Sequence, residues 1–579
     1  MERTGAEIIA EALKKEKVEI IFGYPGGAVL DMFDKLYDAG IKLLLSRHEQ
    51  GMTHMADGYA RATGKTSVVV ATSGPGATNT ITGLATAYMD SVPMVMFTGQ
   101  VPSHFIGNDA FQEADVTGIT RPVTKHNFLV KDIDKLPEII KEAFYIAATG
   151  RPGPVLIDVP KDLQTAKTSV PYPDSIVMPT YQPTYEGNIK QIQKAAEVIK
   201  TAKKPVAYVG GGAITSNAHK EVFDFIKKTG IPVTTTLMGI GVFPEKEPEA
   251  LKMLGMHGTR YANYAIQKCD LIIAIGARFD DRITGKLSAF SPESTVVHID
   301  IDPTSISKNV YAHVPVVGDV KDVLTKLNKV VEKPEIAEWK DQIDGWKKEF
   351  PLTYRKDSEK VLPQEVISAI NKIMGDDDII VTDVGQHQMW STHFIEYRKP
   401  RTFLSSGGLG TMGFGLPAAL GAKLGKKDSL VFAICGDGGF QMNIQELATA
   451  AINKIPVIAI VLNNGFLGMV RQWQELFYNK RYSMTCLDRK ADCPTICNDP
   501  TADCPGYIPD FVKLSEGYSC FGKRITKHED VEPALAEAVK VATEKKQPVV
   551  LEFITEPEEN VYPMVPAGAC LDDMLDELV

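Results

Sequence analysis

Leu430-Val431-Phe432-Ala433-Ile434-Cys435-Gly436-Asp437-Gly438 is the stretch that decides the fold. Six apolar residues run straight into a Gly-Asp-Gly turn, the pattern of a strand buried on both faces of a parallel sheet. A second apolar run, Val457 to Leu462, ends in Asn463-Asn464, with 24 residues between Gly438 and Asn463. Two parallel strands thus carry oxygen ligands at their carboxyl ends, where open α/β sheets bind ligands. Alone, Gly-Asp-Gly equally suits an ordinary strand-ending turn. Paired with the second strand it suits a hard cation beneath a diphosphate, which needs a carboxylate, an amide oxygen and close backbone approach.

Working outward, short β-branched runs alternate with helical patterns of about 10 to 15 residues, the rhythm of parallel α/β folds. Ser67 to Thr72, Pro93 to Phe97 and Val155 to Val159 are strands of a first unit. Pro205 to Val209, Leu271 to Ile275 and Val296 to Ile301 belong to a second, and Ile379 to Val381 joins the two deciding strands in a third. The proline-rich stretch Thr168 to Gly187 and the charged stretch Glu332 to Leu362 read as linkers. The fold class expected is α/β, with three doubly wound parallel-sheet domains at 1–167, 188–331 and 363–555 and a tail at 556–579. At 579 residues the chain is too long for a single core.

A formal net charge of −10 argues against nucleic-acid or membrane-surface binding, which require a concentrated basic face. No apolar run reaches membrane-spanning length, and the N-terminal stretch, acidic and helical in its spacing, resembles no targeting peptide. A cytoplasmic setting is expected. It keeps most of the eight cysteines reduced. Four of them, Cys486, Cys493, Cys497 and Cys504, crowd one segment without the tight pairs of common zinc sites. A decorative loop, a disulfide pair or a metal-stabilised cap all remain readings of that cluster.

Gly-Asp-Gly, 24 residues and Asn-Asn resemble the fingerprint of thiamine-diphosphate enzymes. Nearly the whole chain is similar to the acetolactate synthase family within them. Arg47-His48-Glu49-Gln50-Gly51, ATSGPGATN (71–79), GQVP (99–102), DAFQE (109–113), TKHNFLV (124–130), RPGPV (151–155) and DVPKD (158–162) follow that family in order. So do GMHGT (255–259), GARFDDR (276–282), HIDID (298–302) and GDV (318–320).

The resemblance implies a pyrimidine-binding first domain, a central FAD-binding domain and a diphosphate-binding third domain. Asp437, Asn464 and the Phe466 carbonyl would hold Mg²⁺, with Gly436 and Gly438 beside the diphosphate. Gly410 and Met412 would support the aminopyrimidine, and Glu49 would bond to its ring nitrogen. Phe111 and Gln112 would line the reaction pocket, with Lys161 at its rim. Arg282 would receive a ketoacid carboxylate. Trp473 would favour 2-ketobutyrate over a second pyruvate as acceptor. Gly211, Gly212, Arg151, His257, Gly258, Thr259, Arg278, Asp300 and Asp319 would contact FAD.

Each residue also has a plainer use: surface salt bridges for the arginines, core packing for Trp473 and Met412, and a solvated loop charge for Glu49. The activity implied is decarboxylation of pyruvate and transfer of the hydroxyethyl fragment to pyruvate or 2-ketobutyrate, giving 2-acetolactate or 2-aceto-2-hydroxybutyrate. Rival readings are a related flavin enzyme such as pyruvate oxidase, another thiamine carboligase, or a catalytically inert scaffold. A homodimer or tetramer is expected, with a small regulatory subunit as partner. The sequence departs from the family at the cysteine segment, inserted where relatives carry a mobile lid.

Overall fold

The computed structural model describes residues 2–488 and 509–576. Three six-stranded sheets, every strand parallel, carry the fold. The first comprises β1 (Ile20–Tyr24), β2 (Lys42–Leu45), β3 (Ser67–Ala71), β4 (Met94–Gln100), β5 (His126–Leu129) and β6 (Pro154–Pro160). The second comprises β7 (Pro205–Val209), β8 (Val233–Thr235), β9 (Ala250–Met253), β10 (Leu271–Ile275), β11 (Thr295–Asp300) and β12 (Val314–Val317). The third comprises β13 (Ile379–Thr382), β14 (Phe403–Leu404), β15 (Val431–Gly436), β16 (Ile458–Asn463), β17 (Phe521–Ile525) and β18 (Val549–Ile554).

Strand order is β2-β1-β3-β4-β6-β5 in the first sheet and β14-β13-β15-β16-β18-β17 in the third, the same topology twice. The middle sheet runs β9-β8-β7-β10-β11-β12, the order of dinucleotide-binding folds. Helices cover both faces, so the inner strands are buried on both sides and read as unbroken apolar runs. The strand expected at Pro93 to Phe97 continues to Gln100. Thr98 and Gln100 turn inward there and donate hydrogen bonds of 2.7 and 2.9 Å to the buried Asp158 carboxylate on β6.

Arg3–Thr4 pairs antiparallel with Lys167–Thr168 and ties the ends of the first domain together. The stretch 332–362, expected as a linker, contains a 13-residue helix, Ala337–Glu349. Its apolar stripe is narrow. Trp339 and Ile343 are its buried residues, and the Trp339 indole N–H donates to the Pro205 carbonyl at 3.2 Å. Two anchors among charged neighbours give too thin a periodicity to stand out.

Besides a cluster of its own in each, one apolar cluster spans the first and third domains, whereas the core of the middle domain is separate and takes in Val565 and Leu571 of the tail. At the seam, α1 (Glu49–Thr63) crosses α2 (Gly415–Gly425) with small residues at the contact. A Cβ on Gly58 would lie 2.0 Å from the Ala418 carbonyl oxygen, and one on Gly421 would lie 1.8 Å from that of Met55. Asp90 accepts from the backbone of Gly407 and Gly408, and Arg61 links Asp57 and Asp90 to the Ser405 carbonyl. Among the described residues no helix is long and apolar enough to cross a membrane.

Candidate active site

In the third sheet the strand order reverses between β13 and β15, and the crevice outside their carboxyl ends is the natural ligand site. Gly436 ends β15, and Asp437 opens the short helix α3 (Asp437–Met442). Its buried carboxylate accepts from the Gly465 N–H at 3.0 Å, just beyond β16. Asn464 and Phe466 flank Gly465, and the Asn464 side-chain oxygen accepts from the Phe466 N–H at 3.0 Å. The structure therefore brings Asp437, Asn464 and Phe466 together.

Burial pushes the Asp437 carboxyl up to about 8, with nearby Asp488 raising it further against the backbone donors. A buried carboxyl with a second, half-buried one nearby is donor chemistry that a divalent cation stabilises. Gly436 and Gly438 are needed for packing. A side chain on Gly436 would meet the His387 ring at 3.2 Å, and one on Gly438 would meet Leu467 at 2.9 Å and Met412 at 3.6 Å. Met412 thus closes over the Gly-Asp-Gly turn.

Asp383 and His387 were not legible as site residues. Asp383, fully enclosed and raised to about 6 by burial, accepts from the backbone of Val384, Gly413 and Gly415 and so holds the loop that carries Met412. Gly410 and Gly413 give that loop its shape with φ of +70° and +86°. His387 is buried against Gly436, kept neutral with its pKa lowered to about 4 by burial, and its Nε2 has no partner. A strand ending in Asp383-Val384-Gly385 beside the Gly-Asp-Gly strand was the available signal.

Glu49 is the first residue of α1, 8% exposed, and accepts from the Asn79 side-chain amide at 3.1 Å. Gly76 lies beside it; a Cβ there would sit 3.6 Å from its carboxylate. Asp437 is surrounded by a separate set of neighbours on the third domain.

Gln112 has a φ of +58°, and its backbone packs on Gly74. Phe111, expected to line a pocket, stands 88% exposed, uncovered by the described residues. Lys161, the residue after β6, donates to the Gly27 carbonyl at 2.7 Å. Arg282 is exposed, with Asp281 3.5 Å away as its ion-pair partner. Trp473 lies half-buried on α4 (Gly468–Phe477) against Phe477, its ring centre 5.7 Å away and edge-on. Among the described residues it joins none of the buried apolar clusters.

In the middle sheet the reversal lies between β7 and β10. Gly210 would place a Cβ 2.3 Å from the Gly276 carbonyl, and Gly212 one 2.8 Å from the Gly276 Cα. These glycines let the loops that follow β7 and β10 touch each other; Gly211 packs instead on Met238. His257 is buried, lowered to about 3 by burial, and its Nε2 has no partner. Gly258 packs on Leu254, and Thr259 caps helix Arg260–Lys268.

Asp300, at the end of β11, is raised to about 6 by burial and accepts from the Asp302 N–H at 2.9 Å. Arg151 reaches Asp302 at 3.5 Å and Ser91 at 2.8 Å, joining the first and middle domains. Arg278 lies half-buried near Asp280 and Asp300. Asp319 has a structural use, capping helix Val320–Val330 and accepting from the Ser216 hydroxyl at 2.9 Å.

Cys486 pairs across an antiparallel bridge with Phe466, so the cysteine segment starts against the Asp437 cluster. Cys493, Cys497 and Cys504 lie outside the described residues.

The chain matches three family profiles. These are the N-terminal TPP binding domain of thiamine pyrophosphate enzymes over residues 3–119, their central domain over 192–327 and their C-terminal TPP binding domain over 383–553. It is 49% identical to the acetolactate synthase large subunit of Corynebacterium glutamicum, covering 99% of this chain and 90% of the relative. It is 48% identical to the acetolactate synthase of Mycobacterium bovis, covering 99% and 91%. With the acetolactate synthase isozyme 3 large subunit of Escherichia coli it shares 46% identity over 99% and 98%.

Proposed function

Because the chain belongs to the acetolactate synthase family of thiamine-diphosphate enzymes, we propose that it joins two 2-ketoacids with loss of CO₂. The observation that carries this reading is the buried Asp437–Gly465 contact, which holds a carboxylate against the turn Asn464–Phe466 at adjoining strand ends. Thiamine diphosphate supplies the carbanion chemistry that decarboxylates pyruvate and adds the two-carbon fragment to a second ketoacid.

The residues hold and orient. Asp437, Asn464 and the Phe466 carbonyl are the proposed ligands of a Mg²⁺ that neutralises the diphosphate. The unpartnered His387 Nε2 and the closely packed Gly436 and Gly438 fit a diphosphate at the same turn. Met412 and the Gly410 loop back the pyrimidine. Glu49, on the first turn of α1, shares a proton with a ring nitrogen of that pyrimidine. Lys161, Arg282, Gln112, Phe111 and Trp473 orient the ketoacids, with Trp473 setting the choice between pyruvate and 2-ketobutyrate.

FAD is proposed for the middle domain. The orphaned His257 Nε2, the half-buried Arg278 and the strand-order reversal support it. Gly211, Gly212, Gly258, Thr259, Arg151, Asp300 and Asp319 belong to the same proposed contact set.

A homodimer is the proposed minimal unit, with the cofactor between Glu49 of one protomer and Asp437 of its partner. The exposure of Phe111 at 88%, of Phe105 on the same loop, and of Met442, Val470 and Met484 around the diphosphate half supports a second copy covering both faces. The large-subunit names of the relatives support a small regulatory partner, and the cell compartment proposed is the cytoplasm.

Binding calorimetry tests the site. The protein should take up thiamine diphosphate only with Mg²⁺ present, and Asp437→Asn should lose that dependence with the fold intact. Unchanged Mg²⁺-dependent binding by the variant overturns the ligand assignment.

A further inference from the structure

Glu446 opens helix Glu446–Ile452 of the third domain and is completely buried, yet it reaches across the seam to the first domain. Its Oε1 accepts from the Arg47 N–H and from the His48 N–H, both at 3.1 Å, and Oε2 lies 3.2 Å from the Arg47 nitrogen. The Thr449 hydroxyl donates to Oε2 at 2.6 Å and fixes the rotamer. Arg47 and His48 are the two residues immediately ahead of Glu49, and His48 is the N-cap of α1, its own Nδ1 accepting from the Gln50 N–H at 3.1 Å. Gly51 completes the seat, since a Cβ there would lie 2.6 Å from the Glu446 Oε1.

Resting on the reading of Glu49 as the proton-sharing carboxylate, we propose that Glu446 is its positioning residue. From the third domain it grips the backbone N–H groups of Arg47 and His48, and so fixes the first turn of α1 and the direction in which Glu49 projects. The same stretch of chain also carries this protomer's diphosphate-half groups, which face the other centre of the proposed dimer. Asp437 opens α3, and Asn443, one residue past that helix, donates to the Gly413 carbonyl of the Met412 loop at 2.7 Å. Residues 437–446 therefore couple the Glu49 helix of one centre to the metal ligand and the Met412 loop that the same chain lends to the other centre of the proposed dimer. A 1 Å drift of a catalytic group can cost about 10²-fold in rate, which is what such a grip prevents.

The test compares Glu446→Ala, Glu446→Gln and Glu49→Gln. In protein without cofactor, amide hydrogen exchange across residues 47–53 should rise about tenfold or more in Glu446→Ala, because two N–H groups lose their acceptor. Glu446→Gln keeps one oxygen for both N–H groups and should stay within about threefold of the parent. In loaded protein, Glu446→Ala should slow deuterium exchange at the thiamine C2 position and lower kcat by about 10²-fold with the pyruvate KM unchanged, and Glu446→Gln should restore most of it.

Parental amide and C2 exchange in Glu446→Ala overturns the proposal, as does a Glu446→Gln protein as impaired as the alanine variant. Should Glu446→Ala fail to fold, Gly51→Ala displaces the same carboxylate, and parental behaviour there overturns it equally. Glu49→Gln should lose C2 exchange with amide exchange at 47–53 untouched. If it keeps C2 exchange, the reading of Glu49 fails separately.

Discussion

Gly421→Ala should disable the enzyme without touching any group at the reaction centre. The added methyl would lie 1.8 Å from the Met55 carbonyl oxygen, whereas Cβ contacts essentially never fall below 3.0 Å. The crossing helices α1 and α2 must therefore part by roughly 1.2 Å, because the obstacle is backbone and cannot swing aside. Overpacking of this kind costs about 1–3 kcal/mol, which a chain of this size can absorb. The displacement cannot be absorbed locally. Met55 is six residues along α1 from Glu49, about 9 Å at 1.5 Å per residue, so the helix carries its first turn with it.

A shift of about 1 Å at a catalytic group lowers turnover about 10²-fold. The assay is kcat for pyruvate condensation beside a thermal melt, with Gly345→Ala as the control. Gly345 sits inside helix Ala337–Glu349 with nothing within 4 Å of an added Cβ, so alanine there should stabilise by about 0.5–1 kcal/mol and leave kcat alone. A folded Gly421→Ala protein with kcat within a factor of two of the parent would refute the reasoning.

Glu49→Gln should keep cofactor binding and lose about 10²- to 10⁴-fold in kcat, the range for a removed acid–base group. Near-parental acetolactate production would sink the assignment. Trp473→Leu should shift the product ratio away from 2-ketobutyrate by about one to two orders of magnitude, read in a competition assay in which pyruvate self-condensation survives. An unchanged ratio removes its role.

His54→Leu addresses acid stability. His54 is fully buried on α1 with neither ring nitrogen bonded, and burial, with Arg61 adding to it, lowers its pKa to about 3. Its folded value lies below the unfolded one, so its contribution is complete above the unfolded pKa and is lost as pH falls toward the folded one. Relative to the leucine variant the parent should therefore lose about 2 kcal/mol between pH 7.5 and pH 5. A pH-independent gap between the two unfolding curves contradicts this.

The strands were legible because parallel strands buried on both faces read as unbroken apolar runs, and the Gly-Asp-Gly and Asn-Asn strand ends sit where their spacing placed them. The doubling of topology between the first and third sheets was not legible, since strand order depends on which helix packs on which face. The helix Ala337–Glu349 escaped because its apolar stripe is only Trp339 and Ile343 deep. Glu446 and Asp383 escaped for a different reason. Their partners are backbone N–H groups, which carry no side-chain signature, and Glu446 meets Arg47 across 399 positions of sequence. Phe111 reads in the sequence as a pocket residue and stands 88% exposed in one chain, because whatever the proposed second copy would lay over it leaves no trace in this chain's own sequence.

The central claim is carboligation, and product stoichiometry tests it most directly. Purified protein with thiamine diphosphate, Mg²⁺ and FAD should consume two pyruvates for each CO₂ released, form 2-acetolactate, and leave an added electron acceptor unreduced. One CO₂ per pyruvate, either with acetate as product and the acceptor reduced or with acetaldehyde as product and the acceptor untouched, would contradict it.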